Sequence, residues 1–366
     1  MQDKITEQNN QKYKLDNICR IKDIGCIKGD SNMKFSFVAF AFTMVTASIV
    51  QAADVNVYSY RQPELIKSLT DAFTAQTGIN VNVAYLQKGM LERMKAEGRR
   101  SPADVVLTVD ISRLSAVVNE GLTQPVESAT LSKNVPELYR DPNGHWYGLT
   151  TRARIVYASK DRVADGEVTT YEDLADPKWQ GRICMRSGTN AYNVALTSAV
   201  IHHHGEEGAK AWLQGVKDNL ARKPQGNDRA QVKAIWAGEC DISIGNTYYM
   251  GAMLSDAEQK EWAESVQILF PTFENGGTHI NISGVAMAKY APNRENAMTF
   301  MEFLTSAKAQ EIYAEANHEY PVAPGSQASA FVQTWGDFEP DKVNLMELAK
   351  LRGLALRLTE TVDFDG

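Results

Sequence analysis

The stretch Thr150-Thr151-Arg152-Ala153-Arg154-Ile155-Val156-Tyr157-Ala158-Ser159 reads as one long extended passage, and it decides how the chain is divided. A second extended run, His279-Ile280-Asn281-Ile282-Ser283-Gly284-Val285-Ala286-Met287, leads back the other way. Two long strands passing between two sheets make a double hinge. The expectation is therefore an α/β chain of two lobes, with two open, mostly parallel sheets joined by a two-strand hinge. Residues 54–152 and 284–366 are expected in the first lobe and residues 153–283 in the second.

Upstream of the first passage the pattern is strand, helix, strand. Val55 to Tyr60 alternates as a strand, and Pro63 and Glu64 open a helix that puts Leu65, Ile66, Leu69 and Phe73 on one face and stops at Gly78. Strands Ile79 to Tyr85 and Ala103 to Val109 flank a helix around Leu91 and Met94, which predicts a parallel sheet. Beyond the second passage come helices over Asn293 to Thr305 and Ala307 to Asn317, a polar loop at Pro321 to Gly325, and a final helix from about Asp341 to Thr361. Ligands of such sheets sit beyond the carboxyl ends of the strands, here in the cleft between the lobes.

At 366 residues the chain is long enough for two full cores. Met33-Lys34, the apolar run Phe35 to Val50 and the small residues Ala52 and Ala53 have the order of a secretory signal peptide, with cleavage near Ala52 or Ala53. The apolar run is too short to span a membrane as a helix. Residues 1–32 are expected to be a non-native extension before a start at Met33. Without residues 1–53 there remain 31 Lys and Arg against 40 Asp and Glu, a net charge near -9. That acidity argues against a nucleic-acid surface. The expectation is a monomer exported to the periplasm.

Two segments of the second lobe repeat one arrangement. Arg186-Ser187-Gly188-Thr189-Asn190-Ala191-Tyr192 and Asn246-Thr247-Tyr248-Tyr249 each place phenols just after a strand and at the start of a helical pattern. Cys184 lies eight residues before Tyr192, and Cys240 eight before Tyr248. In an exported chain this pair is a disulfide candidate, with two buried thiols as the alternative. Three phenolates converging from two such turns make a hard anionic site, and hard oxygen donors suit a hard cation such as ferric iron. Arg61, in the first turn of the first lobe, can grip a planar anion by two parallel bonds or simply pair at the surface.

Taken together, Val57-Tyr58-Ser59-Tyr60-Arg61-Gln62-Pro63, Ser101-Pro102-Ala103-Asp104-Val105, Leu149 to Arg154, Pro224-Gln225-Gly226-Asn227-Asp228, Gly245 to Tyr249, and Gly276 through Gly284 make the mature chain resemble the periplasmic ferric-ion-binding proteins of ATP-binding-cassette iron importers. The resemblance implies that Tyr192, Tyr248 and Tyr249 bind Fe(3+). Some relatives have a His-Tyr pair where this chain has Gln62-Pro63. That departure favours the branch in which carbonate or bicarbonate completes the site. Arg61 and Gln62 are then expected at the anion and Arg152 behind it, with an inner-membrane permease as partner. The other reading is an exported binder of a small organic or inorganic anion with the same architecture.

Other signals are weaker. His202-His203-His204 ends a helical stretch before Gly205, where histidines suit the last carbonyls, and His145 in its turn is expected to be hydrogen-bonded. Arg186 to Gly188 lacks the nucleophile-elbow pattern and there is no phosphate-binding loop, so an enzyme is not expected.

Overall fold

The computed structural model describes residues 54–366. The extension and signal-peptide expectations, on residues 1–53, lie outside the described residues. Nine strands are present among the described residues: β1 Asp54–Ser59, β2 Asn80–Tyr85, β3 Val105–Thr108, β4 Tyr147–Ser159, β5 Ile183–Cys184, β6 Ile242–Asn246, β7 Val266–Leu269, β8 Ile280–Met287 and β9 Tyr320–Pro321. They run in the order β2-β1-β3-β8-β4-β6-β5, with β7 and β9 also pairing β4.

The two passages singled out in the sequence are β4 and β8, and every residue of both strands is buried. They pair antiparallel, with Thr150 opposite Ser283 and Arg152 opposite Asn281. All the antiparallel pairing in the sheet involves β4 or β8. The pairs that involve neither, β1 with β2, β1 with β3 and β5 with β6, are parallel. Each lobe thus keeps a parallel sheet of its own, and the shared strands join them into a mixed α/β fold of two lobes.

The first-lobe core is built from Val55, Val57, Leu69, Phe73, Val105, Leu107, Phe300 and Met301. Leu69 and Phe73 come from the helix Lys67–Thr77, which ends at Gly78 in the left-handed conformation, φ 73°. That conformation is the reason a glycine stops the helix. The apolar contacts of the second lobe centre on the helix Ala191–Asp218 and on the residues around Cys184 and Cys240.

Residues 284–366 do not stay together. The helices Arg294–Leu304 and Ala307–Asn317 bury against the first-lobe core, whereas Leu345, Leu348, Leu358 and Phe364 bury with Val194, Val200 and Trp212 of the helix Ala191–Asp218. The C-terminal tail is fixed there by Lys217 Nζ donating to Val362 O at 2.8 Å and Gly188 N donating to Asp365 Oδ1 at 2.7 Å. Between the two groups the chain crosses back past the hinge, with Phe338 stacked on Phe270 at 5.0 Å. The single helix expected from Asp341 to Thr361 is two, Leu345–Lys350 and Arg352–Thr361, with Asn344 as the N-cap of the first.

Cys184 and Cys240 form a disulfide, with Cα atoms 5.8 Å apart. The bridge reinforces a short ladder, since β5 meets β6 only at Ile183–Ile242 and Cys184–Ser243.

Candidate functional site

A cleft of about 660 Å³ is lined by Tyr192, Arg229, Tyr248, Tyr249 and Ala252 from the second lobe, by Tyr60, Arg61, Gln62, Gln87, His318 and Glu319 from the first, and by Arg152 of β4. All six candidate residues, Arg61, Gln62, Arg152, Tyr192, Tyr248 and Tyr249, therefore face one space.

The tyrosines arrive there for local reasons. β6 ends at Asn246 and the helix Tyr248–Leu254 starts at once, so both phenols lie in its first turn. Tyr192 is the second residue of the helix Ala191–Asp218, whose N-cap Asn190 accepts from Tyr192 N at 3.0 Å. The rings of Tyr248 and Tyr249 are 4.4 Å apart. Asn246 Nδ2 donates to the Tyr248 oxygen at 3.2 Å.

Burial, with Tyr192 and Tyr249 close by, pushes the Tyr248 phenol well above the usual tyrosine value, against a smaller pull from Arg152. Burial, then Tyr192 and Asp228, pushes Tyr249 up to about 12. Both phenols are protonated near neutral pH. A trivalent cation entering here must displace those protons, as bound cations do for their ligands.

Behind the tyrosines lies a charge set that sequence reasoning missed. Arg154 Nη1 donates to Asp228 Oδ1 at 2.8 Å and Arg186 Nη1 to Asp228 Oδ2 at 2.7 Å, with Asp228 fully buried. The two guanidiniums stand 5.8 and 5.5 Å from the Tyr192 ring. Arg154 Nη2 also donates to Asn193 Oδ1 at 2.5 Å, so the start of the tyrosine helix is tied to β4.

The first-lobe wall is organised around Glu319, which is 1 % exposed. Arg61 Nη2 donates to Glu319 Oε1 at 2.8 Å and to Ser283 Oγ at 3.1 Å, and Arg61 Nε to the Tyr313 oxygen at 3.0 Å. Arg152 Nη1 donates to the same Ser283 Oγ at 3.0 Å. Thr150 Oγ1 also donates to Glu319. Although burial works to raise the Glu319 carboxyl, Arg61 and Arg152 hold it below the usual range. The fork of Arg61 that was expected to grip an anion already grips Glu319 and Tyr313, and only Nη1 has no hydrogen bond among the described residues. Arg61 and Glu319 are 258 residues apart, and no local pattern announces the pair.

His318 caps the helix Ala307–Asn317 at φ 54°, and its ring lies against Gly251 of the tyrosine helix, where any Cβ would strike it. Three other histidines are engaged by the fold away from this cleft. His203 Nε2 lies 2.8 Å from Asp341 Oδ2 and stacks on Phe273, His204 Nε2 lies 2.5 Å from Glu172 Oε1, and His145 Nδ1 bonds Thr123. His203 and His204 thus engage carboxylates rather than last carbonyls, since the helix expected to end before Gly205 kinks there and runs on to Asp218. Among the described residues no three His, Cys, Asp or Glu side chains are grouped so as to hold a metal ion.

Residues 100–335 match the family model described as bacterial extracellular solute-binding protein. The chain is 47% identical over 298 residues to iron uptake protein A1 of Synechocystis, covering 81% of this chain and 83% of that protein. Among solved structures it is similar to ferric iron-binding protein A of Mannheimia haemolytica in an open conformation, with 53% identity, a TM-score of 0.83, and coverage of 86% of this chain and 100% of that one. It is also similar to a Trichodesmium protein solved with iron and citrate ligands, with 40% identity, a TM-score of 0.82, and coverage of 85% and 100%.

Proposed function

The chain belongs to the family of bacterial extracellular solute-binding proteins, and we propose that it is the periplasmic ferric-iron carrier of an ATP-binding-cassette importer. Tyr192, Tyr248 and Tyr249 bind Fe(3+) as phenolates, an exogenous oxyanion such as carbonate completes the coordination, and an inner-membrane permease receives the cargo. It acts as a monomer, and apart from the metal bonds and the phenol protons they displace no bond is made or broken.

One observation carries this reading. Three phenols from two helix starts line a single cleft, and among the described residues no cluster of three His, Cys, Asp or Glu side chains competes for a metal. The iron-binding names of the similar proteins support it. Charge fits as well, because one Fe(3+) replaces three phenol protons and leaves the net charge of the cleft unchanged.

The lobes divide at the hinge. Residues 54–152 with 284 to about 317 form one body, and residues 153–283 with the C-terminal helices form the other. All three phenols belong to the second body, so iron loads there before closure.

The test is optical. Ferric phenolate absorbs visible light, so the protein with iron and bicarbonate should be coloured. Tyr192→Phe, Tyr248→Phe and Tyr249→Phe should each shift or bleach the band. Each should also weaken retention by more than about a hundredfold, the upper end of what losses outside the ligand set cost. Wild-type colour and affinity in all three variants would reject the ligand set. The competing reading, a binder of anions alone, predicts a colourless protein whose anion affinity ignores iron.

A further inference from the structure

The helix Leu345–Lys350 is tied to the tyrosine-bearing body by the helix that follows it, yet it is seated on both bodies. Leu345 and Leu348 bury in one cluster with Val194 of the helix Ala191–Asp218 and with Ile111 and Leu114 of the first-lobe helix Ile111–Asn119. Where the three helices meet, between Ser112, Ala195, Ser198 and Ala349, a void of about 10 Å³ remains, room for roughly one water molecule. A seat packed to that degree is either made or broken, because packed interfaces do not deform continuously.

The seat lies on the far side of the hinge from the cleft. Arg152 and Tyr192 line the cleft and also, with His279 and Asn281, a second small void; His279 in turn lines the void at the seat. Among the described residues none lines both the cleft and the seat. In the first lobe the chain itself passes round the hinge. Val109 lines the cleft, Asp110 Oδ2 accepts from Asn281 Nδ2 of β8 at 2.9 Å, Ile111 N donates to Asn281 Oδ1 at 3.0 Å, and Ile111 and Ser112 then reach the seat. A rotation about β4 and β8 that brings the walls of the cleft together must therefore carry the helix Ile111–Asn119 away from the helix Leu345–Lys350.

We propose that the helix Leu345–Lys350 is a wedge behind the hinge that holds the cleft open, so that a cargo closes the lobes only by drawing Leu345 and Leu348 off the first-lobe helix. The seat then sets the affinity from outside the binding site, because apparent affinity scales with the fraction of molecules already in the state that binds. The wedge works on any cargo that closes the cleft. Only its readout in iron rests on the ferric reading above.

The experiment compares wild type with Leu345→Ala/Leu348→Ala, which shrinks the wedge, and with Ser112→Trp, which overfills the seat from the first-lobe side and props it apart. Small-angle scattering of the iron-free proteins should give a smaller radius of gyration in both variants than in wild type. Ferric affinity against a competing trihydroxamate chelator should rise about tenfold in both, the gain expected when a closed state held to roughly a tenth of the molecules becomes the dominant one. A contact that merely stabilises the fold would give the reverse, since its loss loosens the lobe that carries the tyrosines and weakens retention. If the double variant does not fold, Ser112→Trp decides alone. Unchanged scattering in Ser112→Trp overturns the proposal, as does an affinity unchanged or lowered in every variant that folds. An iron-loaded wild type without a visible band defeats the ferric reading alone, and the iron-free scattering still decides the wedge.

Discussion

On the second-lobe wall of the cleft stand three phenols, of which burial holds Tyr248 and Tyr249 protonated, with one amide contact from Asn246 to Tyr248. On the first-lobe wall, Arg61 has three bonds to Glu319, Ser283 and Tyr313, and Glu319 has further bonds from Thr150 and Ser283. Both walls are polar, and they differ in commitment. Groups already satisfied by the protein hold the wall in shape, whereas groups that keep their protons and lack strong partners are free to exchange those protons for a cargo. The difference assigns cargo binding to one lobe and support to the other.

The sharpest way to break that comparison is pH. If the metal replaces three phenol protons, retention must fall steeply as acid rises, because below the phenol pKa values every proton has to be displaced. Apparent ferric affinity, corrected for the competing chelator's own protonation, should drop about a thousandfold per pH unit between pH 8 and pH 6, tenfold for each proton. A slope of one proton or fewer would mean that the phenols are not the ligands, and the contrast between the walls would lose its chemistry.

The next test separates the lobes by their staples. The bridge between Cys184 and Cys240 spans 56 residues and lies wholly in the tyrosine lobe. Chain entropy alone assigns such a bridge about 4 kcal/mol. A Cys184→Ala/Cys240→Ala variant should lose about that much in urea unfolding, with amide exchange rising in β5 and β6 and unchanged in β1 and β2. A uniform rise across both lobes would show that the lobes unfold as one unit.

How far the sequence announced this arrangement follows from the range of each interaction. The strands β4 and β8, the glycine stop at Gly78 and the turns carrying Tyr192, Tyr248 and Tyr249 were legible, because each is a local pattern of alternation, backbone freedom or helix start. The equal offsets of Cys184 and Cys240 made the bridge a candidate, and only the fold distinguishes a bridge from two thiols. The Arg61–Glu319 pair, the sharing of Asp228 by Arg154 and Arg186, and the return of the C-terminal helices to the second lobe were not legible. Charged residues on distant segments have no period or spacing that marks them as partners.

The supporting wall can be attacked directly. Arg61→Ala leaves the Glu319 carboxylate buried without its cation, a loss that costs about 4 kcal/mol when a buried pair is broken from one side. The double variant Arg61→Ala/Glu319→Gln removes the stranded charge and should recover most of that stability. Urea unfolding distinguishes the outcomes. A single variant as stable as wild type would mean that Arg61 is held for the anion alone, and the first-lobe wall would then resemble the second.

The smallest expected effect concerns His279, at the end of the hinge where β8 begins. Its imidazole is buried, and Nδ1 has no hydrogen-bond partner among the described residues. Burial, helped by Arg154 and His203 and opposed by Asp341 and Asp110, lowers its pKa from 6.5 to about 4. The sign follows from proton uptake. Between those values the unfolded chain binds a proton at this position and the folded chain does not, so stability is fully present above pH 6.5 and declines as the pH falls toward 4. The decline from this residue alone is about 3 kcal/mol. His279→Gln should remove that part of the acid sensitivity while the carboxylates continue to titrate, so the difference between the two unfolding curves isolates it. If wild type and variant lose stability in parallel from pH 6.5 to pH 4, His279 is not held neutral, and an uncommitted group in the hinge would be carrying charge. The rule drawn from the two walls, that unengaged buried groups stay neutral until a cargo exchanges with them, would then fail where the lobes meet.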